Sequence, residues 1–210
     1  PIKSCAGIHL REAVLTRSGL MSEHVFDREW MVVDAQGRFL TQREHPRMAL
    51  IVPSIKATTL ELRAPGMLRL EIELGLPHPQ LAPMLEVQVW DDSVRAYDCD
   101  DVTATWFSNA IGVPCRLVRF HPDVVRATST TWTGGVAAST MFADGYPVLI
   151  AGSASLADVN DKLRAAGREA LPMNRFRPNL VIGEIGAFEE DYAEFLQLGA
   201  TTLKPVKPCS

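Results

Sequence analysis

Four short segments of the sequence combine a cationic side chain with hydroxyl or amide groups. Their candidate site residues are Lys3, Ser4, Arg28, Arg43, Arg177 and Asn179. An arginine offers a forked pair of donors to a phosphate, a lysine offers a compact charge, and a serine is a small donor that leaves room for a ligand. An asparagine amide both donates and accepts, which suits the edge of a heterocycle. This mixture is typical of a pocket for an anionic ligand.

Each segment also has an ordinary structural interpretation. Arg28 could pair with Asp27 or Glu29, and Lys3 could belong to a frayed chain end. Arg177 is the hardest to explain in this way, because it stands in the stretch Asn-Arg-Phe-Arg-Pro-Asn, which is rich in donors. The residue types alone leave these alternatives open.

Several common catalytic and binding patterns are absent from the sequence. There is no GxGxxG after a strand, no GxxxxGK[ST] and no GxSxG, which excludes Rossmann, P-loop and nucleophile-elbow sites. The four cysteines form no CxxC pair and the five histidines show no ligand spacing, so a zinc site is disfavoured. The acidic group at 189–191 is interpreted as a solvated face.

The elements that must hold these side chains are mainly strands. Alternating apolar residues predict hairpins and single strands; the ranges are 29–41, 59–74 and 195–204 for hairpins, and 49–52, 86–90, 115–120, 147–151 and 180–182 for single strands. Two helices are predicted, one at 100–111 that begins at Asp100 or Asp101, and one at 153–166 with Ser155 as its N-cap. These elements predict a mainly β fold with helical excursions, of the α+β class, built as a barrel or a sandwich.

Length and composition bound the kind of protein. The chain has 210 residues, of which 47% are hydrophobic, so it can bury the core of one large or two small domains. Residues 121–141 are polar and without period, and they predict a loop between two modules. The net charge of −4 gives no electrostatic reason for a nucleic-acid partner. The sequence has no membrane-length apolar run and no signal peptide pattern, and a cytoplasmic location with reduced thiols is expected.

Seven sequence motifs occur in an order that resembles a known protein family. They are Pro-Ile-Lys-Ser-Cys at 1–5, Asp-Arg-Glu-Trp-Met-Val-Val-Asp at 27–34, Phe-Leu-Thr-Gln-Arg-Glu-His-Pro-Arg-Met-Ala at 39–49, Phe-Ala-Asp-Gly-Tyr-Pro at 142–147, Ser-Leu-Ala-Asp-Val-Asn at 155–160, Asn-Arg-Phe-Arg-Pro-Asn at 174–179 and Val-Lys-Pro-Cys-Ser at 206–210. The chain resembles a MOSC protein with its own MOSC N-terminal β-barrel domain. It is similar to mitochondrial amidoxime reducing components and their bacterial relatives.

The resemblance implies a fold, a cofactor and an activity. The fold is a MOSC N-terminal β-barrel-like domain over residues 1–120, followed by an incomplete, C-terminally truncated MOSC β-barrel over residues 121–210. The cofactor is a molybdenum cofactor of the molybdopterin type, and pyridoxal phosphate binding is a further expectation at family level. The activity is the reduction of amidoximes, hydroxylamines and N-hydroxylated bases, with electrons from a partner redox protein or a fused iron–sulfur domain. The alternative is a non-catalytic module that binds or carries the cofactor or a sulfur species.

The resemblance also implies roles for individual residues. The implied cofactor-binding residues are Lys3, Ser4, Arg28, Arg43, Gly145, Tyr146, Arg177, Asn179 and Ser210. Lys3 and Arg28 would meet the phosphate and pterin, and Arg177 would hold the pterin side. Some relatives have Thr-Ser where this chain has Gly145 and Tyr146, so backbone groups and a phenol would replace hydroxyl donors.

The metal ligand that the family implies is a cysteine thiolate, which is a soft ligand suited to molybdenum. On the family pattern this cysteine lies two residues beyond Ser210, so Cys209 is a neighbour of the ligand and not the ligand itself. We therefore expect no metal ligand and assign no catalytic residue within residues 1–210.

Overall fold

The computed structural model describes residues 1–75 and 83–208. The chain forms two compact units. The first consists of Pro1–Thr128 with Ala138–Pro147, and the second consists of Ser129–Ala137 with Val148–Ser210. The expected boundary at residue 120 between two family domains stays a prediction.

Short strands dominate the first unit. Its elements are β1 (Val14–Thr16), β2 (Gly19–Ser22), β3 (Val25–Phe26), β4 (Trp30–Val33), β5 (Val52–Ile55), β6 (Thr59–Arg63), β7 (Leu70–Glu73), β8 (Met84–Val89), β9 (Asp92–Asp98), α1 (Asp101–Ile111), β10 (Arg116–Phe120), β11 (Arg126–Ala127) and β12 (Ser139–Thr140). They pair into antiparallel sheets with the orders β1-β2-β3, β5-β6-β7, β4-β10-β9-β8 and β11-β12. The predicted mainly β fold with helical excursions is confirmed.

The sheet β4-β10-β9-β8 lies between two hydrophobic clusters. Side chains alternate across a strand, so Trp30 and Val32 of β4 enter one cluster, while Met31 and Val33 enter the other. All four are buried. Burying one such side chain stabilises the fold by roughly 1.5–3 kcal/mol. Because both faces of β4 are covered, this strand is a rigid base for the turn that precedes it.

Helix α1 packs on this sheet and begins as predicted. The side chain of Asp100 accepts a hydrogen bond from Thr103 N at 2.7 Å, which satisfies one of the unpaired donors of the first turn. The helix ends at Gly112, whose φ of 94° suits glycine. Trp106 and Phe107 are buried in the first cluster.

The second unit is smaller, and its elements are α2 (Thr130–Thr133), β13 (Ile150–Gly152), α3 (Ser153–Ala165), β14 (Leu180–Ile182), β15 (Leu196–Leu198) and β16 (Thr201–Leu203). Strands β13 and β14 pair in parallel and β15 pairs antiparallel with β16. Within the described residues, the buried hydrophobic side chains all belong to the first unit. None of the helices in those ranges has both the length and the apolar character that a membrane span requires.

The start of α3 differs from the prediction. The helix begins at Ser153 after Gly152, so Ser155 is not its N-cap. Instead, the carboxylate of Glu190 accepts from Gly152 N at 2.8 Å and from Ser155 Oγ at 2.6 Å. A distant carboxylate thus satisfies the helix end, where a negative charge is favourable. The interpretation of residues 189–191 as a purely solvated face is therefore wrong.

Two other predictions differ from the structure. Residues 49–52 do not form a strand, because Pro46 starts a 3-10 helix that extends over Pro46–Leu50, and β5 begins only at Val52. The hairpin at 29–41 is present but short: Val33 and Phe39 form an antiparallel bridge, Leu40 N donates to Val32 O at 2.8 Å, and only Trp30–Val33 is a regular strand. Strands β1 to β3 and β9 were not predicted, and the predicted loop at 121–141 contains β11, α2 and β12.

Candidate functional site

The N-terminal segment extends the outer edge of β4. Ile2 forms a parallel bridge with Trp30, and Lys3 donates its backbone N–H to Trp30 O at 2.8 Å. Trp30 in turn donates to Pro1 O at 3.1 Å. Ile2 is buried in the core. These bonds and this burial fix the position of Lys3, so the alternative of a frayed chain end is wrong.

The side chain of Lys3 is buried with its charge. Its Nζ lies 2.5 Å from Asp144 Oδ1 and 5.2 Å from the centroid of the Phe39 ring, and the residue is 4% exposed. Burial lowers the pKa of Lys3 to about 8; Asp144 raises the pKa, whereas Arg28 and Arg126 lower it. A lysine charge held in this way is unfavourable for folding alone and is typical of a functional site.

Asp144 is the exposed partner in this pair. Its Oδ1 accepts from Lys3 and also from Trp90 Nε1 at 2.9 Å. Partial burial raises the pKa of Asp144, but the charge and hydrogen bond of Lys3 outweigh it, so the pKa lies below its usual value. The carboxylate is therefore ionised at neutral pH.

Arg28 lies in the turn before β4. Its backbone is left-handed, with a φ of 53°. Glu29 braces this turn, because its Oε2 accepts from Phe26 N at 2.9 Å and its Oε1 accepts from Arg119 Nε at 2.6 Å. The Arg28 side chain is 13% exposed and pairs with Asp27. The structural interpretation in which Arg28 pairs with Asp27 is therefore confirmed. The turn presents a largely buried guanidinium in a defined conformation.

Arg126 fastens the loop that follows β12. Its guanidinium donates to three backbone carbonyls within residues 141–144, at 3.0, 2.5 and 2.8 Å. Its Nε also donates to Asp92 Oδ2 at 2.6 Å, which balances the charge of an arginine that is 6% exposed. These bonds fix the backbone immediately before Gly145.

The same loop lies against the Arg28 turn. Phe142 N donates to Arg28 O at 3.1 Å, and the Phe142 ring contacts Phe120 edge-on, with centroids 5.1 Å apart. Gly145 is exposed, and a side chain at this position would meet no atom within 4 Å. Tyr146 is half-buried. We call Lys3, Arg28, Trp90, Arg126 and Asp144 the Lys3 cluster; five separate segments of the first unit contribute to it.

Three of the predicted binding residues have left-handed backbones. The φ angles are 64° at Ser4, 53° at Arg28 and 54° at Arg177. Residues other than glycine rarely adopt this conformation, and it costs roughly 1–3 kcal/mol when it is imposed. Such strain concentrates at binding and catalytic sites. Six other non-glycine residues of the described ranges also have positive φ, so the functional role of these three stays a prediction.

Arg177 and Asn179 belong to the second unit and precede β14. Asn179 donates its backbone N–H to Leu149 O at 2.8 Å, and its side-chain oxygen accepts from Leu149 N at 2.9 Å. The Asn179 amide therefore ties the start of β14 to the start of β13. Arg177 stands two residues before Asn179, ahead of this parallel pair. That Arg177 and Lys3 contact the same ligand stays a prediction.

Family models match both parts of the chain. A model described as the MOSC N-terminal beta barrel domain matches residues 1–114, and one described as the MOSC domain matches residues 137–210. The chain belongs to the MOSC N-terminal beta barrel domain family. The recognition made from seven motifs is confirmed.

Curated relatives of this MOSC protein match it over its whole length. Mitochondrial amidoxime reducing component 2 of Bos taurus is 33% identical, and mitochondrial amidoxime-reducing component 1 of Mus musculus is 32% identical; each alignment covers 100% of this chain and 61% of the relative. Molybdenum cofactor sulfurase of Oryza sativa subsp. japonica is 30% identical over 100% of this chain and 26% of its own length. This chain thus spans about three fifths of the length of the amidoxime reducing relatives. A solution structure from Bordetella bronchiseptica shares 35% identity over 45% of the chain and 72% of its own, with a TM-score of 0.41.

The structure brings together some of the predicted residues of the MOSC protein. Lys3 and Arg28 lie in one cluster, and Ser4 and the Gly145–Tyr146 pair adjoin it in sequence. Arg43 is exposed in the turn at 42–44, and only its neighbour Gln42 contacts the Ser4 carbonyl among the described bonds. Ser210 and Cys209 lie outside the described residues.

Sequence reasoning missed the two residues that organise the cluster. Asp144 directly precedes Gly145 in the motif Phe-Ala-Asp-Gly-Tyr-Pro, which was a usable signal. No sequence signal pointed to Arg126, because it stands in a polar stretch without hydrophobic periodicity.

Metal binding finds no support within the described ranges of this MOSC protein. Those ranges contain no group of His, Cys, Asp and Glu that could hold a metal ion. Burial raises the pKa of Cys99 to about 12 and that of Cys115 above its ordinary value, so neither thiol is suited to be a thiolate ligand. Cys5 is fully buried in the core.

Proposed function

We propose that this chain binds a molybdenum cofactor of the molybdopterin type and belongs to an enzyme that reduces amidoximes, hydroxylamines and N-hydroxylated bases. The observation that carries the proposal is the Lys3 cluster, in which a buried lysine and a largely buried arginine lie near an open glycine. The names of the most similar relatives support the activity. Because the chain covers 61% of those relatives, the reaction is proposed for the whole protein.

The residues of the first unit fit the anionic part of such a cofactor. Lys3 and Arg28 offer charged donors to a phosphate, and charge-assisted bonds of this kind are about twice as strong as neutral ones. Ser4 offers a short hydroxyl beside them. Gly145 leaves open space, so a ligand can approach its backbone closely.

The residues of this chain bind and orient the group. Lys3 and Arg28 neutralise the phosphate charge, and the braced turns hold their donors before the ligand arrives, which reduces the ordering cost of binding. In the second unit, Arg177 and Asn179 are proposed to face the pterin side, with Arg43 and Ser210 as further contacts. The bound group supplies the redox chemistry that reduces the N–O bond of the substrate, with electrons from a partner redox protein or a fused iron–sulfur domain.

The test compares two lysine variants of the natural full-length protein. Lys3→Met removes the charge of the proposed site, whereas Lys56→Met removes the charge of an exposed lysine in the same unit. We expect amidoxime reduction and bound pterin to be lost in Lys3→Met and retained in Lys56→Met. Wild-type protein that is loaded with the cofactor but reduces no amidoxime, hydroxylamine or N-hydroxylated base would overturn the proposed activity.

A second candidate function rests on the similarity to molybdenum cofactor sulfurase. In that case the chain would hold the cofactor or a sulfur species and transfer it without turnover, with Cys209 as the reactive thiol. The two candidates differ in their response to Cys209→Ser. A carrier would lose sulfur transfer, whereas the reductase would retain amidoxime reduction, because on the family pattern Cys209 is a neighbour of the metal ligand and not the ligand itself.

Two finer expectations have weaker support. The amidoxime reducing relatives are named mitochondrial, so a cytoplasmic location stays a prediction. The names of the relatives give no support for pyridoxal phosphate binding.

A further inference from the structure

We propose that Asp144 is the built-in counter-ion of the anion site and releases Lys3 when a ligand phosphate binds. The inference rests on the proposed function in one respect, namely that Lys3 is a donor to an anion. The carboxylate of Asp144 occupies the position in which an acceptor oxygen of the ligand would lie, 2.5 Å from Lys3 Nζ.

The exposure of the two side chains is unequal. The Lys3 side chain is 5% exposed, whereas that of Asp144 is 68% exposed. The carboxylate therefore lies on the solvent side of the ammonium. An anion that approaches Lys3 from solvent meets a like charge first, and it binds only if Asp144 turns away or if its own contacts outweigh the repulsion.

The charges around Lys3 are balanced before a ligand binds. Arg28 pairs with Asp27, and Arg126 pairs with Asp92. Lys3 itself pairs with Asp144. Lys3 and the two arginines that lower its pKa therefore each have a carboxylate partner. A phosphate needs net positive charge at the site. Release of Asp144 is the simplest way to supply it, since this carboxylate is the most exposed of the three.

The backbone that carries Asp144 does not need to move. Arg126 holds the carbonyl of Asp144 at 2.8 Å and two further carbonyls of the same loop. Rotation of the Asp144 side chain would break the bonds from Lys3 and from Trp90 Nε1, while the loop and Gly145 stay in place. Arg126 is thus a positioning residue that confines the change to one side chain.

Removing the carboxylate should have two effects with opposite signs. The competitor for Lys3 disappears, so anions bind more tightly as long as Lys3 is protonated. At the same time the charge that raises the pKa of Lys3 is lost, so Lys3 becomes neutral at a lower pH. If Asp144 had a purely structural role, its removal would instead weaken anion binding at every pH. The pH at which the affinity falls would then stay the same.

The experiment measures sulfate binding to the natural full-length protein, purified from cells that cannot make molybdopterin, by NMR titration across the pH range. Sulfate keeps its charge over this range. In Asp144→Asn we expect about tenfold tighter binding near pH 6, and a fall in affinity at a pH about one unit below that of the wild type. The control Asp101→Asn removes a carboxylate with a side chain that is 93% exposed and should change neither value.

The inference would be overturned if Asp144→Asn bound sulfate equally or more weakly near pH 6. It would also be overturned if the pH at which the affinity falls did not change. The variant Asp144→Ser repeats the test with a different side chain and should give the same two changes. Lys3→Met should abolish sulfate binding, and retention would also overturn the inference. Failure of this inference can be distinguished from failure of the proposed function: protein that never contains molybdenum can still show the Asp144 effect, and loaded protein can lack it.

Discussion

Lys3 and Asp144 form an ion pair across 141 positions of sequence, with Lys3 Nζ 2.5 Å from Asp144 Oδ1. The lysine is buried and the aspartate is exposed. Such a pair contributes little to stability, because the loss of hydration offsets the attraction between the charges. Ligand binding explains the buried charge better than folding does.

Replacing Lys3 with Met should stabilise the fold. Burial lowers the pKa of Lys3 from 10.5 to about 8, which corresponds to a charging cost of about 3 kcal/mol in the folded state. Methionine fills a similar volume without a charge, so we expect a gain of about 1–3 kcal/mol in the free energy of unfolding at neutral pH, measured with urea. A less stable Lys3→Met protein would contradict this account.

The lowered pKa of Lys3 also determines how the stability of the folded chain changes with pH. Lys3 binds its proton more weakly in the folded chain, so the unfolded chain holds more protons between about pH 8 and pH 10.5. The contribution of Lys3 to stability therefore rises with pH in this window. The advantage of Lys3→Met over the wild type should shrink between about pH 7 and pH 10 in urea unfolding. An advantage that is constant or grows would show that the pKa of Lys3 is not lowered in the folded chain.

Ser4 allows backbone strain to be separated from binding. Its φ of 64° suits glycine and disfavours alanine. Ser4→Gly should be about 1 kcal/mol more stable than Ser4→Ala, because only glycine relieves the strain. Both variants lack the hydroxyl and should lose cofactor affinity to a similar extent. Equal stabilities in thermal unfolding would argue against a left-handed Ser4, and full cofactor affinity would argue against its role as a donor.

Gly145 tests whether the ligand approaches this loop. A methyl group at this position would meet no protein atom within 4 Å, so Gly145→Ala should leave the free energy of unfolding within about 0.5 kcal/mol of the wild type. Cofactor retention should fall, because the methyl group would occupy the space of the ligand. Gly7→Ala is the matched control, since Gly7 also has open space around it, and it should retain the cofactor. Equal retention in both variants would place the ligand elsewhere.

Local patterns in the sequence predicted the elements, and long-range contacts decided the rest. Strict alternation predicted the pair β6 and β7, and the cap at Asp100 predicted the start of α1. Strand β9 was missed, because charged and polar residues surround its buried Val94 and Ala96. The motif containing Lys3 was recognised, but its burial depends on Asp144 and β4, which no local pattern indicates. The cap of α3 by Glu190 was missed for the same reason.

The molybdenum content of the natural full-length protein tests the central claim most directly. The protein is purified from cells that make the cofactor, and metal is measured by mass spectrometry in the wild type, Lys56→Met and Lys3→Met. The account predicts about one molybdenum atom per chain in the first two proteins and almost none in Lys3→Met. Metal-free wild-type protein, or Lys3→Met protein loaded as fully as the wild type, would contradict it.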